Sequence, residues 1–234
     1  MENQDQLAPT AMRRIKSFVL RQGRMSKAQQ HALNQAWPKF GLEPEDKLLD
    51  LAAVFGRIAP TYLEIGFGMG TSLAAMAQAN PDRNYIGIEV HRPGVGALCK
   101  LIEELGLSNI RLFNHDAIEV LEKSIPPASL AGVYLFFPDP WHKSRHKKRR
   151  ILNAEFADKI AHYLETGGEF HMATDWQDYA EQMMDVMSAA GRYENKAGIN
   201  QYMPRPDYRP LTKFEQRGQR LGHGVWDLIF VNNK

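Results

Sequence analysis

The sequence predicts a doubly wound α/β domain, and three observations support this prediction. Short apolar segments alternate with amphipathic helical segments from residue 61 onward. A glycine-rich turn follows the first apolar segment, and acidic residues close four successive ones. Strands that alternate with helices at this spacing are typical of a parallel sheet covered by helices on both faces.

The individual elements follow from apolar periodicity and from turn residues. Strands are expected at 61–66, 84–90, 109–114, 131–137, 168–174, 192–197 and 225–231. Helices are expected at 26–36, 46–55, 70–79, 93–105, 117–123, 153–164, 176–190 and 212–221. Ser26 suits a helix N-cap, and Pro38 and Gly41 should end that first helix. We divide the chain into an N-terminal basic extension with short helices, residues 1–45, and one domain, residues 46–234.

Composition argues for a globular protein without a membrane span. The chain has 234 residues, of which 44% are hydrophobic and 24% charged. No stretch approaches the roughly 18 consecutive apolar residues that a membrane helix needs. Cys99 is the only cysteine, which excludes an intramolecular disulfide and favours a cytoplasmic location. Because Cys99 lies in an apolar helical pattern, we expect it to be a core side chain.

Positive charge is clustered although the net charge is only +2. One cluster lies near the N-terminus and consists of Arg13, Arg14, Lys16, Arg21, Arg24 and Lys27. The other follows a predicted strand and consists of Lys143, Arg145, Lys147, Lys148, Arg149 and Arg150. Such clusters favour phosphate binding, or else form solvated surface.

The turn after the first predicted strand reads Glu64-Ile65-Gly66-Phe67-Gly68-Met69-Gly70. Glycines two residues apart let a ligand approach the backbone at the start of a helix, although a tight structural turn would look similar. The third glycine comes one residue too early for the dinucleotide motif, which disfavours a nucleotide-dependent oxidoreductase. Glu64 would repel a pyrophosphate and attract an ammonium group.

Four successive predicted strands end in acids. These are Glu64, Glu89, Asp116 and Asp139. Glu89 is placed to accept hydrogen bonds from ribose hydroxyls, and Asp116 with the next backbone N–H could contact an adenine edge. A ligand with an ammonium group, a ribose and an adenine is S-adenosylmethionine, which we expect as the cofactor.

The segment after the fourth predicted strand combines three chemistries. Asp139 stands between two prolines, Trp141 follows, and then the basic run begins. An acid, a flat aromatic side chain and a row of cations together could hold a nucleobase beside its phosphates. Trp141 could stack on a base or only wall the pocket. His142 and His146 lie four residues apart, but no third ligand is evident, so we expect no metal.

The motifs resemble those of a known family. LEIGFGMG, IGIEV, NHDA and FPDPWHK resemble successive motifs of the Rossmann-like methyltransferases. FFPDPWHKSRHKKRR, together with Ala173-Thr174-Asp175 and the segment Arg209 to Glu215, resembles the bacterial tRNA (guanine-N7-)-methyltransferases. The resemblance implies methylation of a guanine in the variable loop of tRNA and a seven-stranded sheet, mostly parallel with its last strand antiparallel.

The resemblance also implies roles for particular residues. Asp139 would be catalytic and would also bind the cofactor, together with Glu64, Gly66, Gly68, Gly70, Glu89 and Asp116. The substrate would contact Trp141, Lys143, Asp175, Thr212, Lys213, Phe214 and Glu215. Arg145, His146, Lys147, Lys148, Arg149 and Arg150 would bind RNA, with Arg13, Arg14 and Arg24 as weaker candidates.

Two alternatives share the fold. A methyltransferase acting on another RNA, a protein or a small amine would have the same cofactor acids, and only the basic run and the Pro-Asp-Pro-Trp segment argue against it. A non-catalytic RNA-binding module would not need the acids and glycines. The sequence suggests no obligate protein partner, and both a monomer and a homodimer are compatible with it.

Overall fold

The computed structural model describes residues 16–19, 23–211, 215 and 224–233. The strands of this part of the chain form one eight-stranded sheet. They are β1 (Gly41–Leu42), β2 (Thr61–Ile65), β3 (Asn84–Ile88), β4 (Ile110–Phe113), β5 (Leu130–Phe136), β6 (Leu164–Thr174), β7 (Tyr193–Asn195) and β8 (Trp226–Asn232). Only the two pairings of β8, with β6 and β7, are antiparallel. The predicted parallel sheet with an antiparallel last strand is confirmed.

Four of the seven described α-helices begin at a short polar residue that caps them. They are α1 (Lys27–Phe40), α2 (Leu51–Phe55), α3 (Thr71–Ala79), α4 (Arg92–Leu105), α5 (Ala117–Ser124), α6 (Ala154–Tyr163) and α7 (Gln177–Ala189), with a 3-10 helix at Ser144–Arg149. Side-chain oxygens of Ser26, Asp50, Asp116 and Asn153 accept backbone N–H groups in the first turns of α1, α2, α5 and α6. These bonds satisfy donors that a helix start leaves without partners.

The strand order places the ligand cleft. The order is β1-β4-β3-β2-β5-β6-β8-β7, so the chain moves outward from β2 through β3 to β4 and then restarts at β5 on the other side of β2. Open α/β sheets bind ligands at the carboxyl ends of the strands beside such a switch. The switch lies between β2 and β5, whose residues Glu64 and Tyr134 are paired.

Helices cover both faces of the sheet, as the alternating pattern predicts. On one face, buried side chains of α1, α3 and α4 share a cluster with the sheet. On the other face, buried side chains of α5, α6 and α7 do the same. Cys99 is fully buried in α4, where burial, followed by the charge of Glu103, raises the pKa of its thiol to about 12. Its predicted place in the core is confirmed.

Three features between residues 27 and 55 differ from the sequence prediction. Helix α1 continues through Pro38 to Phe40, because Phe40 packs into the core while Pro38 stays exposed in the last turn. Helix α2 starts only at Leu51, since the Asp50 side chain caps it there. Strand β1 is an eighth strand, and its two residues are too few to show a pattern.

The N-terminal elements are in contact with the remaining structure, because α1 shares a buried cluster with α4 and β1 pairs with β4. The domain boundary at residue 45 stays a prediction. Within the described ranges, no helix has the length and apolarity required to cross a bilayer.

Candidate active site

The turn after β2 is built on three glycines in the left-handed region. Their φ angles are 74° at Gly66, 58° at Gly68 and 75° at Gly70. A Cβ at Gly66 or Gly68 would meet no atom within 4 Å. A Cβ at Gly70 would lie 2.6 Å from the Cβ of Leu98. Gly66 and Gly68 therefore leave space for a ligand, whereas Gly70 allows α3 to pack closely on α4.

Glu64 is a buried acid directly before this turn. Its side chain is on β2, the residue is 3% exposed, and its Oε2 atom has no hydrogen-bond partner among the residues described. Burial, followed by the charge of Glu89, raises the pKa of Glu64 to about 8. Burying a polar group without a partner is costly. A cationic ligand group would supply the missing partner and favour the ionised carboxylate.

Glu89 joins the glycine turn to the start of α4. Its carboxylate accepts the backbone N–H of Gly68 through one oxygen and that of His91 through the other, each at 2.8 Å. Two bonds leave further lone pairs on the carboxylate for ribose hydroxyls. Asn114, at the end of β4, donates to the backbone oxygen of Glu89 at 2.7 Å and ties two strand ends together.

Asp116 is the N-cap of α5 and is 7% exposed. One carboxylate oxygen accepts the Ile118 N–H at 3.0 Å. Together with Gly66, Glu89 and Asp139, it lines a cleft of about 730 Å³ at the carboxyl ends of β2 to β5. The structure thus brings three of the four predicted acids into one cleft, with Glu64 buried next to its lining residue Ile65.

Asp139 is exposed on a strained turn. The residue two positions before it, Phe137, has a φ of 50°, and the residue two positions after it, Trp141, has a φ of 45°. Bulky side chains rarely take such angles, and each costs about 1–3 kcal/mol. No described residue donates a hydrogen bond to the Asp139 carboxylate. The fold therefore holds a strained turn that presents an acid to the cleft.

Trp141 is held by the protein. Its Nε1–H donates to the backbone oxygen of Ser17 at 3.1 Å, and the guanidinium of Arg149 lies 4.2 Å from its ring centroid. Arg149 also donates to the backbone oxygens of Lys16 and Phe18, each at 3.3 Å. Of the two roles the sequence allows for Trp141, these contacts favour a pocket wall that anchors the N-terminal segment.

The cations in and next to the 3-10 helix differ in how accessible their side chains are to a ligand. Lys143, Arg145 and Lys148 are exposed. Lys147 pairs with Asp178 at 2.5 Å but keeps a partly exposed side chain. Slight desolvation and the cations Arg145 and Lys143 lower the pKa of His146. This shift favours the neutral imidazole, which can still donate a hydrogen bond.

Arg150 does not face solvent, contrary to the sequence expectation. It is 3% exposed and donates to Asp178, Gln182 and the backbone oxygen of Pro140, at 2.5, 2.5 and 2.8 Å. A guanidinium with these partners inside the protein joins the Asp139 loop to α7. We therefore leave Arg150 out of the RNA surface.

The tip of β6 presents a residue that sequence reasoning missed. Asp175 follows β6 directly and is partly buried. Trp176 comes next, is 40% exposed, and its ring centroid lies 6.0 Å from that of His142. The sequence offered one signal for Trp176, because this aromatic residue directly follows Asp175, the acid at the end of a predicted strand. Trp176 is a more accessible candidate for stacking on a base than Trp141.

The predicted substrate segment 212–215 is only partly described. Thr212, Lys213 and Phe214 lie outside the described residues, as do Arg13 and Arg14. Glu215 is 1% exposed, and both its oxygens accept hydrogen bonds from Arg209. Glu215 is thus bound inside the protein, which differs from the direct substrate contact expected. Among the described residues, no cluster of three or more His, Cys, Asp or Glu side chains could hold a metal.

Solved structures share this fold at low sequence identity. The 16S rRNA methyltransferase KamB has a TM-score of 0.59 and 16% identity, with 80% of this chain and 95% of that one covered. The aminoglycoside resistance methyltransferase NpmB1 has a TM-score of 0.55 and 17% identity, with 80% and 94% covered. At this identity the likeness shows only a common architecture.

Sequence relatives are much more similar. A family model described as putative methyltransferase matches residues 58–228. A tRNA (guanine-N(7)-)-methyltransferase of Hydrogenovibrio crunogenus is 72% identical over 222 residues, covering 95% of this chain and 92% of the relative. One of Yersinia enterocolitica is 61% identical over 220 residues, covering 94% and 92%. The chain therefore belongs to the tRNA (guanine-N7-)-methyltransferase family.

Proposed function

We propose that this enzyme transfers a methyl group from S-adenosylmethionine to N7 of a guanine in the variable loop of tRNA, and that it acts in the cytoplasm. The observation that supports this best is the position of Asp139. It stands at the mouth of an acid-lined cleft, and the exposed cations of the 3-10 helix follow it directly. A small cationic cofactor suits the first feature, and a polyanionic substrate suits the second.

The cleft residues fit S-adenosylmethionine. When bound, this cofactor supplies a methyl group activated by its sulfonium centre. Glu64 would hold the ammonium group, because its buried Oε2 atom lacks a partner among the described residues. Glu89 would accept the ribose hydroxyls, and Asp116 with the N–H of Ala117 would contact the adenine edge. Gly66 and Gly68 would leave room for the methionine part.

Asp139 would assist methyl transfer without removing a proton. Guanine N7 has a free lone pair, so its methylation requires no general base. The product ring carries a positive charge, which an ionised carboxylate stabilises as it develops. The same carboxylate could accept hydrogen bonds from guanine N1–H and N2–H. The turn places the Asp139 backbone at the cleft for either role.

The surface around the cleft suits tRNA. Lys143, Asp175 and the segment 212–214 would contact the nucleotide, and Trp176 would stack on a base. Arg145, His146, Lys147 and Lys148 would contact phosphates. Arg149 would contribute through its position over Trp141, and Arg24 is a weaker candidate. Phosphate contacts of this kind position an RNA without reading its sequence.

The test is a methylation assay on bulk tRNA that lacks 7-methylguanosine. The purified enzyme is incubated with methyl-labelled S-adenosylmethionine, and the tRNA is digested and its nucleosides separated. We expect label in 7-methylguanosine and, after mapping, in the variable loop. Label in another nucleoside, or no label, would reject the proposal.

Variants of Asp139 test its role. Asp139→Ala should lower kcat about 100- to 1000-fold, as expected for loss of an electrostatic group at the reacting atoms. Cofactor affinity measured by calorimetry should stay within a few-fold, because we assign the main cofactor contacts to Glu64, Glu89 and Asp116 and only a minor one to Asp139. Asp82→Asn is the matched control, because Asp82 is an exposed acid that precedes β3, at the opposite edge of the sheet. Loss of cofactor binding by Asp139→Ala would overturn the assignment.

A further inference from the structure

Arg209 is a fully buried arginine with two carboxylate partners. Its Nε and Nη2 atoms donate to the two oxygens of Asp227 at 2.6 and 2.8 Å. Its Nη1 and Nη2 atoms donate to the two oxygens of Glu215 at 2.7 and 2.9 Å. Four hydrogen bonds to two carboxylates fix the guanidinium plane. Arg209 therefore joins Glu215 to β8, which carries Asp227.

A second set of bonds extends from Asp227 to β6. Asp227 Oδ1 also bonds Nε2 of His171 at 2.8 Å, and Nδ1 of His171 bonds the Tyr208 hydroxyl at 2.9 Å. Tyr208 directly precedes Arg209, so the segment is held to the sheet at two consecutive residues. These bonds leave the Arg209 guanidinium little freedom to move.

The network reaches the strained turn that presents Asp139. Asp227 pairs with Ala173 on β6, and the backbone oxygen of Ala173 accepts the N–H of Phe137 at 2.7 Å. The Arg209 guanidinium lies 5.5 Å from the ring centroid of Phe137, within cation–π range. Phe137 is one of the two bulky residues with positive φ beside Asp139. Arg209 thus contacts the ring whose backbone sets the start of the turn.

We propose that Arg209 is a positioning residue for methyl transfer, which supports Phe137 and so holds the turn of Asp139, while it fixes the chain at Glu215. The inference rests on the proposed role of Asp139. It also changes the role of Glu215, which acts through Arg209 and does not itself contact the substrate. Buried ion networks contribute little net stability compared with apolar packing, which is a reason to look for a positioning role.

The first experiment separates positioning from stability. In the variant Arg209→Met/Asp227→Asn/Glu215→Gln the whole ion network becomes neutral, so no buried charge is left without a partner. We expect this variant to unfold cooperatively and to bind the cofactor with an affinity within about 3-fold of the wild type. Its kcat at saturating tRNA should be at least 10-fold lower. A kcat equal to that of the wild type would overturn the proposal.

The second experiment needs no removal of buried charge and remains informative if the triple variant fails to fold. Arg209→Lys keeps the charge but loses the bidentate geometry, and Phe137→Leu removes the ring. Each should lower kcat about 5- to 20-fold, and because both act on one turn, the double variant should be no worse than the poorer single variant. If the losses of kcat in the two single variants multiply in the double variant, the proposal is overturned. A lower melting temperature with an unchanged kcat would also overturn it. Arg192→Lys, at an exposed arginine remote from the turn, is the control.

The two proposals fail in different ways. If the wild type forms no 7-methylguanosine, the proposed function is wrong. If the wild type forms it and Asp139→Ala does not, while the Arg209 and Phe137 variants keep full kcat, only the positioning role is wrong.

Discussion

Two buried carboxylates in this sheet have opposite environments. Glu64 on β2 has an oxygen without a hydrogen-bond partner among the described residues, and burial, followed by the charge of Glu89, raises its pKa to about 8. Asp227 on β8 is equally buried, but hydrogen bonds from His171 and Arg209 outweigh burial and hold its pKa below the ordinary value. The difference shows that described residues complete the environment of Asp227, whereas they leave one oxygen of Glu64 without a hydrogen-bond donor.

The largest expected difference is in stability. Asp227→Asn removes the charge that opposes Arg209 inside the protein, and breaking a buried pair in this way should lower the free energy of unfolding by roughly 3 kcal/mol. Glu64→Gln removes a carboxylate that forms no ion pair with a described residue, so it should leave the free energy of unfolding unchanged or higher. Urea unfolding at neutral pH without cofactor measures both. Equal losses in the two variants would contradict the comparison.

The next difference is in cofactor binding. Because Glu64 would pair with the ammonium group, Glu64→Gln should weaken binding of S-adenosylmethionine about 10- to 100-fold, the loss expected for one hydrogen bond between charged groups. Calorimetry measures this. Asp82→Asn should bind as the wild type does. An unchanged affinity of Glu64→Gln would show that another group holds the ammonium.

Glu64 should also give the protein without cofactor a pH-dependent stability. Between its ordinary pKa of 4.5 and about 8, the folded state keeps a proton that the unfolded chain releases. The contribution of Glu64 to the free energy of unfolding is therefore complete below pH 4.5. It is lost as the pH rises through 8, by at most about 1.4 kcal/mol per pH unit. Unfolding curves should show that the free energy of unfolding of Glu64→Gln increases relative to that of the wild type as the pH rises. A difference that does not change with pH would exclude the raised pKa.

The smallest expected effects are on the RNA surface. Lys148→Ala should weaken tRNA binding a few-fold and reduce the slope of log affinity against log salt concentration by about 1, the value for one phosphate contact. Lys100→Ala, at an exposed lysine of α4, is the control. Filter binding at several salt concentrations measures both slopes. Identical slopes for Lys148→Ala and the wild type would remove Lys148 from the surface.

The cleft was predictable because its residues occupy regular places in the sequence. An acid at the end of each of four successive strands must lie at one sheet edge if the strands are parallel. The glycines at 66 and 68 mark a turn with little side-chain bulk. Neither inference needs knowledge of which distant elements pack together.

The role of each charged residue was not predictable in the same way. Arg149 and Arg150 are adjacent in a basic run, yet Arg149 lies over Trp141 and Arg150 is buried against Asp178. Glu215 is close to the predicted substrate residues in sequence but is bonded to Arg209. A charged side chain is stabilised by whichever partner the fold brings near, and that partner can be far away in sequence.

We could therefore infer the parallel α/β sheet, the edge that carries the cleft, and the family from the residues alone, because these depend on local periodicity and on motifs within single turns. Three facts required the packing of distant elements: Oε2 of Glu64 has no hydrogen-bond partner among the described residues, Arg150 is buried, and Arg209 joins Asp227, Glu215 and Phe137. These facts depend on contacts between elements far apart in the chain, where burial decides whether a charge must be paired inside the protein or by a ligand.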